Sequence, residues 1–410
     1  LLLSAALLIA LPTAWISSQY LGNEVNAVLS FHAQDGWCEF GYTPDFGVHC
    51  FGDYVQTLTV SQSDFELLPP EQRLPLSALS PNASQDDYLS LYPPLAQLPH
   101  VISALWAQSF LGRTVAFYMY MAALALAVLT PALWVAWGWR RSAFALVPLL
   151  LLGVASVPVF STLDRANSAG FVIPFLLAFG VFLGREPRWV APAAAVAAGF
   201  IRPQLILIVL GLLAVREWRR AVAAVAVFAV GTTASFALMP AGFTASARAW
   251  LNSISGLSSL NFSSVTSDSP ANISLARSST ALAGWMSDAP GAAGAAGAWL
   301  QTAIMEQPLL PVAVLVITTA IVFIVGAGRI PLSVAVSCPL ILGACASGVA
   351  PIYYLGFALV LGALIIGQRL PLEPGLLDDG RPSWMARMWG WLLIAAITLS
   401  LAPLVLVGYT

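Results

Sequence analysis

Apolar runs long enough to reach into or across a bilayer recur along most of this chain, and they decide its fold class. They lie near 1–16, 114–138, 142–160, 171–184, 189–201, 203–215, 221–239, 309–327, 330–347, 350–367 and 389–408. A helix needs roughly 20 apolar residues to cross the hydrocarbon core. Tilt or burial inside a bundle admits shorter ones. Lipid leaves no backbone polar group a water partner, so runs of this length must close their hydrogen bonds internally as helices. Of 410 residues, 59% are hydrophobic and 9% charged, whereas a soluble domain carries roughly 25% charged residues. A disordered tail, a secreted disulfide scaffold and a soluble enzyme are thereby excluded. The expected fold is an all-α polytopic membrane protein, one domain over 1–410, with about eleven transmembrane helices.

Net charge is −2, so no global field draws a polyanion, and nucleic acid is not an expected partner. All 17 basic residues are Arg. A Lys-free, Ala- and Arg-rich composition points to a GC-rich, bacterial genome. The chain starts inside an apolar run without Met, so a short cytoplasmic lead is expected to precede it. That first run reads as a span rather than a cleaved signal core, because a whole polytopic domain follows.

Between the first two runs, residues 17–100 turn polar. This stretch holds 10 of the 19 acidic residues, all 3 His and a single Arg, Arg73. It also carries Leu68-Pro69-Pro70 and Tyr92-Pro93-Pro94. Loops beyond about 15 residues are usually functional. The segment reads as a long extracytoplasmic loop with short helices along the membrane. With that loop outside, 11 of the 17 Arg fall at inner turns: Arg140-Arg141, 185–188, 216–220, Arg329 and 368–388. The positive-inside rule is satisfied without moving any span. A second extracytoplasmic loop, 240–308, is Ser/Asn-rich at 251–280 and Gly/Ala-rich at 290–298. The latter reads as a flexible turn or a re-entrant piece. No internal repeat of the transporter kind is evident.

Ionisable residues at the outer boundary carry more information than apolar spans, because desolvating a charge is costly. Phe51-Gly52-Asp53-Tyr54 places a carboxylate after a Gly that permits close backbone approach. Asp53 is either a base for a sugar hydroxyl or one of ten solvated loop acids. Asp86-Asp87-Tyr88 precedes the stiff Tyr92-Pro93-Pro94, so Asp87 is either a site residue or part of an acidic entry turn. Asp164-Arg165-Ala166-Asn167 between two spans is a structural ion pair or a polar site, and Arg suits phosphate oxygens. In Arg202-Pro203-Gln204 an Arg interrupts an otherwise apolar stretch and the Pro ends the preceding helix. Arg202 either binds an anion at membrane depth or snorkels to the interface. Asn272-Ile273-Ser274-Leu275 with Arg277 offers polar groups to a sugar. Three Asn-x-Ser sequons in these Ser-rich loops match by chance and are discounted.

A phosphate-binding loop of the G-x-x-x-x-G-K-[ST] type and an H-E-x-x-H motif are both missing from the sequence. Cys38 and Cys50, spaced by 12 in an oxidising loop, fit a disulfide better than a zinc site. Such a bridge stabilises by about 3 kcal/mol in the chain-entropy model. Cys338 and Cys345 read as packing residues in a span. No metal and no cofactor is expected.

One span, a long outer loop with Gly-Asp, a Tyr-x-x-Pro-Pro-like re-entry and then many spans make a pattern. It resembles the GT-C superfamily of membrane glycosyltransferases, and within it glycosyltransferase family 87, the actinobacterial mannosyl- and arabinosyltransferases. The matching pieces run in family order. They are Phe51-Gly52-Asp53-Tyr54, Leu91-Tyr92-Pro93-Pro94-Leu95, Asn167, Gly199-Phe200-Ile201-Arg202-Pro203-Gln204, the turn 216–220, Asn272-Ile273-Ser274-Leu275 and Ala350-Pro351-Ile352-Tyr353-Tyr354. Arg202 stands where the family usually has Lys before Pro. Asp164-Arg165-Ala166-Asn167 departs from the commoner Gly-Gln-Asn.

The resemblance implies a GT-C-like bundle that moves mannose or arabinofuranose from a polyprenyl-phosphate donor to a glycan or glycolipid acceptor, with inversion. Asp53 matches the family's first-loop catalytic Asp and would be the general base. Arg202, Arg165 and Arg277 would meet the donor phosphate. Asp87, Tyr92, Asn167, Asn272 and Tyr353 would face the acceptor or sugar. Localisation would be the bacterial plasma membrane, multi-pass, with the site on the extracytoplasmic side and lipids as partners. A transporter or flippase of lipid-linked sugars would need the same boundary Arg and apolar grooves, but not the large outer loop. A non-catalytic scaffold binding through 17–100 is the third reading.

Overall fold

The protein was analysed as a computed structural model, in which the described residues are 92–108, 112–138, 156–164, 166–239, 242–252, 274–307, 309–346 and 352–367, with 395. Among them every regular element is helical. The first apolar run, most of 142–160, nearly all of loop 17–100 and all of the last run but residue 395 lie outside the described residues. Cys38 and Cys50 do too, so their expected bridge stays an expectation.

After a 3₁₀ turn at Pro94–Gln97, α1 (Leu98–Gln108) packs along α2 (Gly112–Gly138). Helix α3 (Val157–Asp164) leads through a turn to a 3₁₀ segment, Ser168–Val172, and to α4 (Ile173–Phe182). Helix α5 (Val190–Ile201) pairs with α4. At Arg202-Pro203 the chain breaks into a 3₁₀ segment, Pro203–Val209, then α6 (Leu210–Ala214). Helix α7 (Trp218–Ser235) lies against α5. Further on, α8 (Leu275–Ser287) and α9 (Ala292–Glu306) form a hairpin. Helix α10 (Leu310–Val325) packs on α6, and α11 (Leu332–Cys345) packs on Pro203–Val209. A 3₁₀ segment, Ile352–Phe357, meets α3, and α12 (Ala358–Ile366) meets α2 and α4.

Two described helices are long and apolar enough to cross a membrane, Val115–Trp137 and Trp218–Leu238, or three if the bent pair α9 and α10 makes one span. Shorter apolar helices fill 168–182, 190–201, 203–214, 332–345 and 353–365. The expected runs near 114–138, 171–184, 189–201, 203–215, 221–239, 309–327, 330–347 and 350–367 therefore each contain helix. Side-chain exposure divides them into lipid-facing and interior members. Val222, Val227 and Val230 on α7 and Ile317, Ile324 and Val325 on α10 are exposed. Apolar faces of that extent suit lipid, since water tolerates only small apolar patches. The interior is built from α4, α5, the 3₁₀ segment Pro203–Val209, α6, α11 and α12, whose Ile173, Phe179, Ala195, Leu205, Leu212, Val336 and Leu364 share one core.

That core admits close backbone approach. A Cβ on Gly211 would stand 2.5 Å from the Ala335 carbonyl oxygen and 3.1 Å from Phe179 Cζ. A backbone atom cannot swing aside, so Gly211→Ala is expected to cost about 1–3 kcal/mol, as overpacking does. Gly284→Ala is the control, because its Cβ would meet only Gln301 Nε2, at 3.6 Å. Thermal unfolding in detergent should lower Tm for the first variant and not the second.

Among the described residues, the Arg-bearing turns 185–188, 216–220 and 327–329 meet at one end of the bundle. Glu217 accepts from Arg220 at 3.0 Å and lies 3.9 Å from Arg188, whose Nε also reaches Glu186 at 2.8 Å. Arg216 Nε donates to the Ala327 carbonyl at 3.1 Å, and Gly328 N–H to Ala214 O at 2.8 Å. Gly328 holds φ +81 there, a left-handed conformation that suits Gly. Helix α5 starts at this end and runs ~18 Å at 1.5 Å per residue before Arg202, so Arg202 sits toward the opposite end. That separation suits the orientation expected from sequence. In a Cys338→Ser/Cys345→Ser background, Asp64→Cys should react with an impermeant thiol reagent in intact cells and Trp218→Cys should not. The reverse pattern would invert the topology.

Candidate functional site: a buried guanidinium at a helix break

Pro203 sets the local geometry. Proline disfavours the α region for the residue before it, and Arg202 adopts φ −136, ψ 98. Its N–H still closes the last turn of α5 on Ala198 O at 2.9 Å, and its own carbonyl receives Leu205 N–H at 2.8 Å. The seven-residue 3₁₀ segment that follows is longer than the usual three or four. Packing of Pro203–Val209 against α5 and α11 holds it.

The Arg202 side chain turns inward and is 2% exposed, the largest fully buried side chain among the described residues. Its Nη2 donates to Asn167 Oδ1. Its Cζ lies 4.5 Å from the centre of the Tyr92 ring, a cation–π arrangement. Burial with these partners rules out snorkelling, which keeps the charged head in water. Taking a charge out of water costs several kcal/mol, recovered only through good geometry and further hydrogen bonds.

Asn167 is placed by its own turn. Ala166 holds φ +48 and Asn167 returns to φ −79, ψ 128. Asn167 Oδ1 also accepts from Ala169 N–H at 2.8 Å, capping the 3₁₀ segment. Two donors on one amide oxygen settle which side-chain atom is oxygen. Tyr92, just before Pro93, is bound through its carbonyl by Gln97 Nε2 at 3.4 Å.

Beside Arg202, Gln204 Nε2 donates to Tyr354 Oη at 2.9 Å. Tyr354 packs on Tyr353 with ring centres 4.9 Å apart. Tyr353, expected at a sugar, is buried in the core one residue from this link. Arg277 lies in the first turn of α8, half-buried. Its N–H meets the Ser274 hydroxyl at 3.3 Å, so Ser274 is a helix cap. The described contacts of Arg202 bring together Tyr92 and Asn167 and do not include Arg277. Asp53, Asp87, Arg165 and Asn272 lie outside the described residues.

Gln204 and Tyr354 stood inside recognised motifs without a role. His100 and Tyr120, both 2% exposed, stood outside every motif. Their one sequence signal is a polar side chain within an apolar helix. Among the described residues, no cluster of three His, Cys, Asp or Glu could hold a metal ion.

No curated protein and no solved structure matches this chain. The model of glycosyltransferase family 87 does, over residues 91–330, a stretch that includes Tyr92, Asn167 and Arg202. That is more than half of the sequence, so the chain belongs to glycosyltransferase family 87 and is a membrane glycosyltransferase.

Proposed function

We propose that this glycosyltransferase moves a sugar, mannose or arabinofuranose, from a polyprenyl-phosphate donor to a glycan or glycolipid acceptor on the extracytoplasmic side of a bacterial plasma membrane. The observation that carries the reading is the buried Arg202 guanidinium, held by Asn167 and Tyr92 at the end of α5 away from the Arg-rich turns. A planar fork of N–H donors suits phosphate oxygens. An anion at that depth offsets the cost of burying the charge.

The reaction is a single inverting displacement. Asp53 takes the proton of the acceptor hydroxyl as its oxygen attacks the anomeric carbon. The bond from that carbon to the phosphate oxygen breaks, and polyprenyl phosphate leaves. Arg202 stabilises the charge that gathers on the leaving phosphate, as preorganised donors do in a water-poor site. Arg165 and Arg277 are further candidates for the same phosphate. Asp87, Tyr92, Asn167, Asn272 and Tyr353 are candidates for acceptor or sugar contacts, and of these Tyr92 and Asn167, which hold Arg202, are assigned to the donor's sugar. Apolar spans supply grooves for the prenyl chain.

The test is purified protein in detergent with a polyprenyl-phosphate sugar and a glycan acceptor. A glycosidic product in this single compartment is expected. Movement of donor across a reconstituted bilayer without product would favour a flippase instead.

A further inference from the structure

Both described partners of Arg202 trace back to one buried pair of side chains outside the motifs. Tyr120, on α2, donates its hydroxyl hydrogen to the Ala166 carbonyl at 3.0 Å. Its ring meets the Phe171 ring edge-on, with centres 5.2 Å apart and planes at 84°. Tyr120 thus grips the chain on both sides of Asn167. Ala166 needs such a grip. A non-Gly residue at φ +48 is strained by roughly 1–2 kcal/mol, and persists where its surroundings over-determine it. Ala166 N–H to Leu163 O and Asn167 N–H to Thr162 O, both 2.9 Å, complete the set.

On its other side, Tyr120 Oη lies 3.3 Å from His100 Nε2. The carbonyl of Ala166 can only accept, so the single hydroxyl hydrogen is committed there. Toward His100 the hydroxyl therefore accepts, which puts a proton on Nε2. His100 lies on α1, directly after the Pro94–Gln97 turn whose Gln97 binds the Tyr92 carbonyl. The path closes on itself: Tyr92 to Gln97, along the chain from Gln97 to His100 at the start of α1, then Tyr120, Ala166 and Asn167, and both ends touch Arg202.

We infer that Tyr120 and His100 are positioning residues that clamp the Tyr92 and Asn167 arms at a fixed separation, so that the Arg202 guanidinium faces the donor phosphate in one orientation. The inference rests on the reading of Arg202 as a phosphate ligand. Neither residue needs to touch substrate, and losing the clamp should act on the donor and spare the acceptor.

The experiment is a double-mutant cycle on steady-state kinetics with a polyprenyl-phosphate sugar donor. Tyr120→Phe removes the hydroxyl and keeps the ring. It should raise donor KM about three- to tenfold, the value of one hydrogen bond, with acceptor KM unchanged. In an Arg202→Lys background, which has no planar fork to orient, that effect should shrink to less than twofold. His100→Gln retains an N–H donor and should stay near wild type, whereas His100→Leu should resemble Tyr120→Phe. Full additivity of Tyr120→Phe with Arg202→Lys, or equal loss on donor and acceptor, would overturn the clamp and leave a merely structural pair. Unchanged donor KM in Arg202→Ala would instead overturn the phosphate reading beneath it, so the two failures are distinct.

Discussion

Asp53→Asn is expected to leave folding and donor binding intact while product formation falls by about 10²-fold or more, the lower end for losing a general base. A sugar hydroxyl is a weak nucleophile at neutral pH, so a base must accept its proton as the new bond forms. In the proposed topology, a carboxylate following Gly52 would stand where an acceptor arrives from outside. The competing bases in the same loop are His32, His49, His100 and Asp87. Burial narrows this set. His100 is 2% exposed and its Nε2 is engaged by Tyr120, which suits holding rather than proton traffic. Asp87, five residues before Tyr92, is the strongest rival because Tyr92 stacks on Arg202. Asp87→Asn should therefore lower turnover less than Asp53→Asn. Both variants should keep the wild-type unfolding temperature, since amide for carboxylate preserves shape. Near-normal turnover in Asp53→Asn together with its loss in Asp87→Asn would move the base to Asp87.

The helices were legible because their signal is local, whereas only two or three of the described ones are long and apolar enough to cross a membrane. The run near 114–138 became α2 at Gly112–Gly138, and the break between 201 and 203 was visible in Pro203. For the Gly/Ala-rich stretch 290–298 the re-entrant reading stays open, because α9 and α10 form a bent pair, but the flexible-turn reading, which takes Gly as a breaker, fails. The stretch lies largely within α9. Small residues there let two helices approach closely. A Cβ on Gly297 would stand 2.4 Å from the Ser287 backbone nitrogen of α8. Propensity lost to packing at that position. At the site, Arg202 was visible as a charge where none belongs, but its surroundings were not. Asn167 lies 35 residues away in sequence and Tyr354 150 residues from Gln204. Spacing carries no information about contacts of that range. Nor does it report that Ala166 turns left-handed or that Ser274 spends its hydroxyl on a helix cap. Shorter interior helices were the other ambiguity. The 12-residue α5 and the 3₁₀ segment after it look too short for a bilayer by length alone, and it is burial against α4, α7 and α11 that lets them stay short.

Arg202→Ala should weaken donor binding by about 10²-fold, the loss of roughly two hydrogen bonds made by a charged group. Two effects act together. The cation proposed to meet the phosphate is removed, and Tyr92 and Asn167 lose the group that both contact. Arg202→Lys separates them. Its ammonium keeps the charge, so donor attraction survives, yet it cannot donate as a planar fork or stack flat on the Tyr92 ring. Its donor affinity should fall between wild type and Arg202→Ala. Truncating a buried side chain can lower stability, so affinity is to be measured on the folded fraction after size exclusion, with a prenyl-phosphate ligand that cannot react. Acceptor affinity should change little in either variant. A donor affinity unchanged in folded Arg202→Ala would make this Arg a brace between α5 and the Asn167 turn, and the phosphate would have to be met by Arg165 or Arg277 instead.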